Sequence, residues 1–195
     1  MNERKRCAWA GEIPIYVEYH DNEWGRPVHD DGKLFEMLIL EGMQAGLSWI
    51  TVLKKREAFR EAFDGFDPYK IALYGEAKIQ ELLANEKIIR NRLKINAAVS
   101  NAQAFLRVKE EYGSFYKFIW SYVGASPITG HWEKHADVPA QTTISDKMSK
   151  DLKKRGFKFV GSTILYSFMQ ATGMVNDHTV ACFVYDEIAN DMRQF

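Results

Sequence analysis

Two cysteines stand near opposite ends of the 195-residue chain, Cys7 and Cys182, and each has a histidine within reach in sequence. His178 precedes Cys182 by four residues, a spacing that sets both on one face of a helix, where two soft ligands can grip a single ion. Cys7 and His20 complete a set of two cysteines and two histidines, which suits tetrahedral zinc with no position left open for substrate. The expected role of such an ion is structural, tying the N-terminal segment to the C-terminal one. A pair of buried thiols with two hydrogen-bonded histidines fits the same residues without an ion, as does a disulfide, although an intracellular chain favours the metal.

A second constellation surrounds Glu41. This acid ends an apolar helical run directly before the glycine-bracketed turn Gly42-Met-Gln-Ala-Gly-Leu47 and shortly before Trp49, so a carboxylate is delivered into aromatic surroundings. It either caps or pairs at the surface, or accepts a hydrogen bond at the floor of a pocket. Trp9, Tyr16, Tyr19, Trp24 and Trp49 can stack on a flat, electron-poor ring, and their π faces favour a cation over a neutral base. The alternative for rings of this kind is the hydrophobic core.

The third is the stretch Asp151-Leu-Lys-Lys-Arg-Gly-Phe-Lys-Phe-Val-Gly161-Ser162, which predicts the end of a basic helix, a tight hairpin and the start of an apolar helix. Gly156 falls where a helix C-terminus needs positive φ, and Gly161 where a phosphate can approach bare backbone at a helix N-terminus. Lys150, Lys153, Lys154, Arg155 and Lys158 surround it. Such a segment is either an ordinary turn on a solvated charged face or a clamp for the nucleic-acid backbone. Twenty-six basic residues balance twenty-six acidic ones, so nucleic-acid binding must rest on a local patch and not on a general positive field.

The elements needed to position these residues read as all-α. Residues 1–30 carry no sustained period and predict an aromatic-rich loop. Helices are expected from Asp31 to Gly42, from Ser48 as a cap through the charged run Lys54 to Glu57 and the pair Phe59 and Phe63, after Asp67-Pro68, over 76–84, over 89–111 and over 115–123. The span 124–143 predicts the longest structureless connection. Ser145 then caps the basic helix, the helix after the hairpin stops at Gly173, and a last short helix covers 177–185. The length permits one domain or two small ones. Apolar runs such as Leu38 to Leu40 are too short for a bilayer, and Met-Asn-Glu-Arg-Lys-Arg at the start is not followed by a signal-peptide hydrophobic stretch, which predicts the cytoplasm. A monomer is the plain expectation.

Four strings then carry a resemblance: Tyr19-His-Asp-Asn-Glu-Trp-Gly25, the run from Leu40 through Trp49 to Arg56, Leu152-Lys-Lys-Arg-Gly-Phe-Lys-Phe-Val-Gly161 and Val175-Asn-Asp-His178. From Cys7 to Cys182 the chain resembles the bacterial DNA-3-methyladenine glycosylase I family of the helix-hairpin-helix glycosylase superfamily. The resemblance implies a two-lobed all-α fold with a lesion pocket between the lobes and the hairpin on the DNA backbone. It implies one glycosylase unit over 1–195, with a helical lobe over about 31–173 and a zinc-bound lobe from 1–30 and 174–195. Cys7, His20, His178 and Cys182 correspond to positions that hold a structural zinc.

The implied substrate is double-stranded DNA bearing 3-methyladenine, and the implied reaction is base excision that leaves an abasic site. On this reading Glu41 favours a cationic base, Tyr16 and Trp49 stack on it, and Trp9 and Tyr19 complete the walls. Gln44, Gly46 and Leu47 fill the gap left in the duplex, while Gly156, Phe157, Lys158, Gly161 and Ser162 meet phosphates. The position of the superfamily's catalytic aspartate is occupied by Asn176, and no lysine suited to Schiff-base attack is evident, so the expected enzyme does not cut the strand. Met43 departs from the polar residue expected in the turn. A competing reading is a non-catalytic, zinc-stabilised module that binds damaged or distorted DNA.

Overall fold

The computed structural model describes residues 4–191, with side chains through 189. Proline at the first helical position starts α1 (Pro14–Asn22), where its missing N–H leaves nothing unpaired. This helix lies inside the segment expected to be a loop. Its period is faint because Tyr19 and His20 are buried while Tyr16 is half-buried, so ring-bearing positions serve two different neighbours. Asp30 caps α2 (Asp31–Gln44) by accepting from the Lys33 amide at 2.8 Å. The helix runs two residues past Gly42, keeping Glu41 inside its last turn.

The one helix expected from Ser48 divides into α3 (Trp49–Leu53) and α4 (Arg56–Ala62) at Lys55, which leaves helical φ/ψ and donates to the Glu86 and Lys87 carbonyls. Short helices α5 (Pro68–Ile71) and α6 (Glu76–Ala84) lead to α7 (Arg92–Tyr112), and α8 (Phe115–Trp120) follows. Asn91 caps α7 through the Lys94 amide, three residues later than the expected start. As the long spine of the molecule, α7 packs on α2, α5, α6 and α8, and Phe35, Phe105 and Phe115 meet in the core between them.

The fold is mostly helical, not wholly so. Within 124–143 the chain forms β1 (Ile128–Thr129), which pairs in parallel with β2 (Val175–Asn176), and Trp132 bridges Thr179. Parallel pairing needs a crossover, and α9 (Thr143–Lys154) with α10 (Ser162–Ala171) supplies it. The bridges draw 177–182 into an extended segment and turn, so the final helix, α11 (Phe183–Asp191), starts six residues later than expected. Thr142 caps α9 in place of Ser145, accepting from the Ser145 amide at 3.3 Å, while the Ser145 hydroxyl oxygen accepts from the Thr142 amide at 2.9 Å. Among the described residues no helix is long and apolar enough to cross a membrane.

Candidate functional site

Trp9, Tyr16, Tyr19, Trp24 and Trp49 do converge, around a hollow of about 100 Å³ that Glu41, Gln44 and Ser167 complete. Trp9 is the hub, 5.1 Å from Tyr16 and 4.9 Å from Trp24 between ring centroids, and Tyr19 lies 5.4 Å from Trp49. A second hollow of about 190 Å³ shares Glu41, Gln44 and Ser167, and is otherwise lined by Ala45, Gly46, Leu47, Thr163 and Ile164. Glu41 thus stands between a ring-walled chamber and the turn that follows α2.

Glu41 is 3% exposed, and burial alone pushes its carboxyl up to about 8. Its Oε2 and the indole Nε1 of Trp49 are both buried without a hydrogen-bond partner. Unpaired buried polar atoms are expensive, about 1–3 kcal/mol each, and persist where something other than the protein completes them. Burial and the Glu41 charge together push Tyr16 up, and burial pushes Tyr19 up further, so both phenols remain neutral donors.

Leu47 lines the second hollow, and the hairpin leads into α10, which supplies Thr163, Ile164 and Ser167 to the same wall. Leu47 is 42% exposed, an apolar side chain presented to solvent after Gly46, which adopts φ +76°. In the hairpin, Gly156 has φ +95°, and its amide and that of Phe157 donate to Lys153 and Leu152, closing the C-terminus of α9. Those two amides are therefore already engaged, and the Phe157 ring is buried. Lys158 is exposed, its backbone held on both sides by Asn101, at 2.7 and 3.0 Å. Gly161 faces open space where a Cβ would stand, and it caps α10, whose first amides have no intrahelical acceptor and no side-chain cap. Ser162 meets Ser145 at 2.8 Å through its hydroxyl. Arg155 turns away from the hairpin to pair with Glu111 and to lie over Phe118.

The two cysteines and two histidines also meet, although not from one helical face. His178 comes from the extended segment and Cys182 from the turn after it, and the ligand atoms of Cys7, His20, His178 and Cys182 all lie within 4.8 Å of one another. Three sulfur-to-nitrogen separations are 3.5 Å. Tetrahedral bonds of about 2.3 Å to sulfur and about 2.0 Å to nitrogen require an edge of about 3.5 Å. The imidazoles are oriented from behind: His20 Nδ1 meets Asp21 at 2.7 Å and His178 Nε2 meets the Trp24 carbonyl at 3.1 Å, turning His20 Nε2 and His178 Nδ1 inward. Gly25, at φ +80°, lets the chain pass; a Cβ there would stand 3.0 Å from His178 Nε2. A metal ion fits these donors.

Asn176 and Asp177 are buried and occupied by the fold. The Asn176 amide donates to the Tyr185 carbonyl at 3.2 Å and accepts from the His178 amide at 3.3 Å. Asp177 accepts from Trp132, Tyr166 and Gln170 at 2.6 to 2.9 Å. The sequence reading missed Thr163, Ile164 and Ser167 as wall residues, because Thr163 and Ser167 are small side chains with no periodic signal of their own and Ile164 reads as part of the apolar stripe of α10.

A buried acid under a cage of rings, on a mostly helical fold with two helices joined by a glycine-bounded hairpin, has the chemistry to receive a flat, electron-poor ring. A family model described as methyladenine glycosylase matches residues 9–185. DNA-3-methyladenine glycosylase 1 of Escherichia coli (strain K12) is 52% identical over 181 residues, covering 93% of this chain and 97% of that protein. A crystal structure of a 3-methyladenine DNA glycosylase I superposes with TM-score 0.91 at 53% identity, over 93% of this chain and all of the other. A variant of such an enzyme in complex with 3-methyladenine matches at TM-score 0.90 and 40% identity, over 92% of this chain and 97% of that one. The chain belongs to the methyladenine glycosylase family.

Proposed function

We propose that this protein is a monofunctional DNA glycosylase that removes 3-methyladenine from alkylated double-stranded DNA and leaves an abasic site. The observation that carries the reading is the pair of unpartnered buried atoms, Glu41 Oε2 and Trp49 Nε1, beside a hollow walled by rings. Relatives named as 3-methyladenine glycosylases, one of them in complex with that base, support the substrate.

The methylated base carries positive charge, so its glycosidic bond is already weak. When N9–C1′ breaks, the electron pair stays with the base, which departs neutral and needs little acid catalysis. The protein's tasks are to unstack the nucleotide, exclude neutral adenine and stabilise positive charge at C1′ while water adds there. Glu41 ionises as the cation enters, accepting from the base edge. Tyr16 and Trp49 stack, and Trp9 and Tyr19 close the walls, with Trp24 and Ser167 as further lining.

On this reading α9 and α10 form a helix-hairpin-helix that grips a phosphate through the open amides near Gly161 and Ser162, aided by Lys158. Gly156 and Phe157 shape the loop from inside. Gln44, Gly46 and Leu47 occupy the gap left by the everted base. Cys7, His20, His178 and Cys182 hold one structural zinc, whose chemistry is to cross-link the N- and C-terminal segments. The division into a helical lobe of about 31–173 and a terminal lobe of 1–30 with 174–195 follows that cross-link, its outermost residues 1–3 and 192–195 lying outside the described ones. The protein acts as a monomer in the cytoplasm, where bacterial DNA is.

Purified protein, with no cofactor added, is expected to release free 3-methyladenine from an alkylated duplex and to leave the strand uncut. Binding without base release would favour the non-catalytic module, and strand scission would refute the monofunctional assignment.

A further inference from the structure

Two buried polar side chains of α7 reach across the molecule to backbone and take no part in the hollow. Lys94 Nζ donates to the carbonyls of Met43 at 2.8 Å and Ala45 at 2.6 Å, the last carbonyls of α2 and its turn. An ammonium at a helix C-terminus meets the negative end of the helix dipole and satisfies carbonyls that have no partner of their own. This explains why α2 continues past Gly42. Two turns further along the same face of α7, Asn101 grips the amide and carbonyl of Lys158. The two grips are about 10 Å apart along the helix axis, seven residues at 1.5 Å each.

The segments they hold touch each other. A Cβ at Gly42 would stand 3.4 Å from the Phe159 Cβ. Phe159 itself has φ +53°, a conformation costly for any residue but glycine, and it persists between Asn101 on Lys158 and the Ser149 hydroxyl on the Val160 carbonyl at 2.7 Å. Ile39, Gly42, Met43, Lys94, Asn101 and Phe159 enclose a space of only about 10 Å³, so the junction is closely packed.

We propose that Lys94 and Asn101 are positioning residues that fix the distance between the gap-filling turn at 45–47 and the phosphate-gripping loop at 158–161. The inference rests on the assignment of both segments to DNA. A base is everted only if the wedge enters the duplex at a set distance from the gripped phosphate. Loosening either grip therefore impairs eversion while the base chamber stays intact, since Lys94 lines neither hollow.

The test compares Lys94→Met, Asn101→Leu and the double variant in two assays: single-turnover excision from saturating alkylated duplex, and affinity for free 3-methyladenine by tryptophan fluorescence. Each single variant is expected to slow duplex excision by about tenfold or more, as for loss of a buried hydrogen bond to a charged or doubly bonded group. Affinity for the free base should stay within about twofold, and the double variant should lose far less than the product of the single losses. Lys94→Arg, which keeps charge and donors, is expected to restore most of the rate. Should Lys94→Met fail to fold, Asn101→Leu carries the same comparison, because its partner lies in an exposed loop. Parallel loss of excision and free-base affinity, or multiplicative single effects, would overturn the proposal. A wild-type protein that releases no base would instead refute the functional reading.

Discussion

Glu41 and Asp177 are both 3% exposed, yet their surroundings are opposite. Asp177 receives three donors, from Trp132, Tyr166 and Gln170, and so locks its own segment and the stretch around Trp132 onto α10. Glu41 Oε2 receives none, and Trp49 Nε1, on the wall of the same hollow, is equally unpaired. The histidines of the metal-type cluster follow Asp177, each oriented by an outer partner, and they back onto the hollow through Trp9 and Trp24, whose rings lie 5.2 Å from His20 and 4.6 Å from His178. A polar group completed by the protein holds the architecture. A buried polar group left incomplete beside a hollow stores free energy that an incoming ligand releases.

That contrast breaks most visibly in the terminal region. Structural zinc binds small peptide sites with about 10 kcal/mol or more, so Cys182→Ser is expected to give the largest loss of stability of any change considered. Metal analysis and thermal melting should register lost zinc and a much lower Tm, with excision per folded molecule unchanged. Wild-type protein that is pure, active and free of zinc would remove the ion from the account.

The chemistry of the clusters was legible in sequence further than their geometry. Cys7, His20, His178 and Cys182 could be grouped because soft ligands are few, and Glu41 because the period of α2 carries an acid into apolar company. The helical face assumed for His178 and Cys182 was not legible, since the bridges that extend 177–182 come from 128–132, some fifty residues away. Helix α1 escaped notice because its rings face both the core and the hollow. Gly156 read as a turn in either case, but its sequence does not say that its amide and that of Phe157 are spent on closing α9 rather than on a phosphate.

The two acids should also separate under titration. Asp177→Asn sets an amide N–H against donors and is expected to cost on the order of 3 kcal/mol, with excision by the folded fraction retained. Glu41 behaves in the reverse sense. Its carboxyl rises from 4.5 in the ordinary state to about 8 in the fold, so between those values the folded protein holds the extra proton. Stability therefore falls as pH rises from about 4.5 to 8, and Glu41→Gln should abolish that slope, gaining at most a few kcal/mol at pH 8 and nothing near pH 4. The same variant should lose preference for the cationic base over adenine. Denaturant melts across this window that show identical slopes for Glu41→Gln and wild type would mean that the carboxylate is not held in a dry site.

The smallest effect belongs to Leu47, which lies on the boundary between the two regimes: apolar, beside the second hollow, and 42% exposed. An exposed leucine adds little to the fold, so Leu47→Ala should leave Tm almost unchanged. If the side chain enters the duplex when the base leaves it, part of its burial is realised only with DNA bound, about 1 kcal/mol, or about fivefold in excision from duplex. Affinity for the free base should not move, because Leu47 is not among the rings that wall the first hollow. Equal loss in both measurements would assign Leu47 to the chamber wall and would pass the role of wedge to Gln44, the neighbour that lines both hollows.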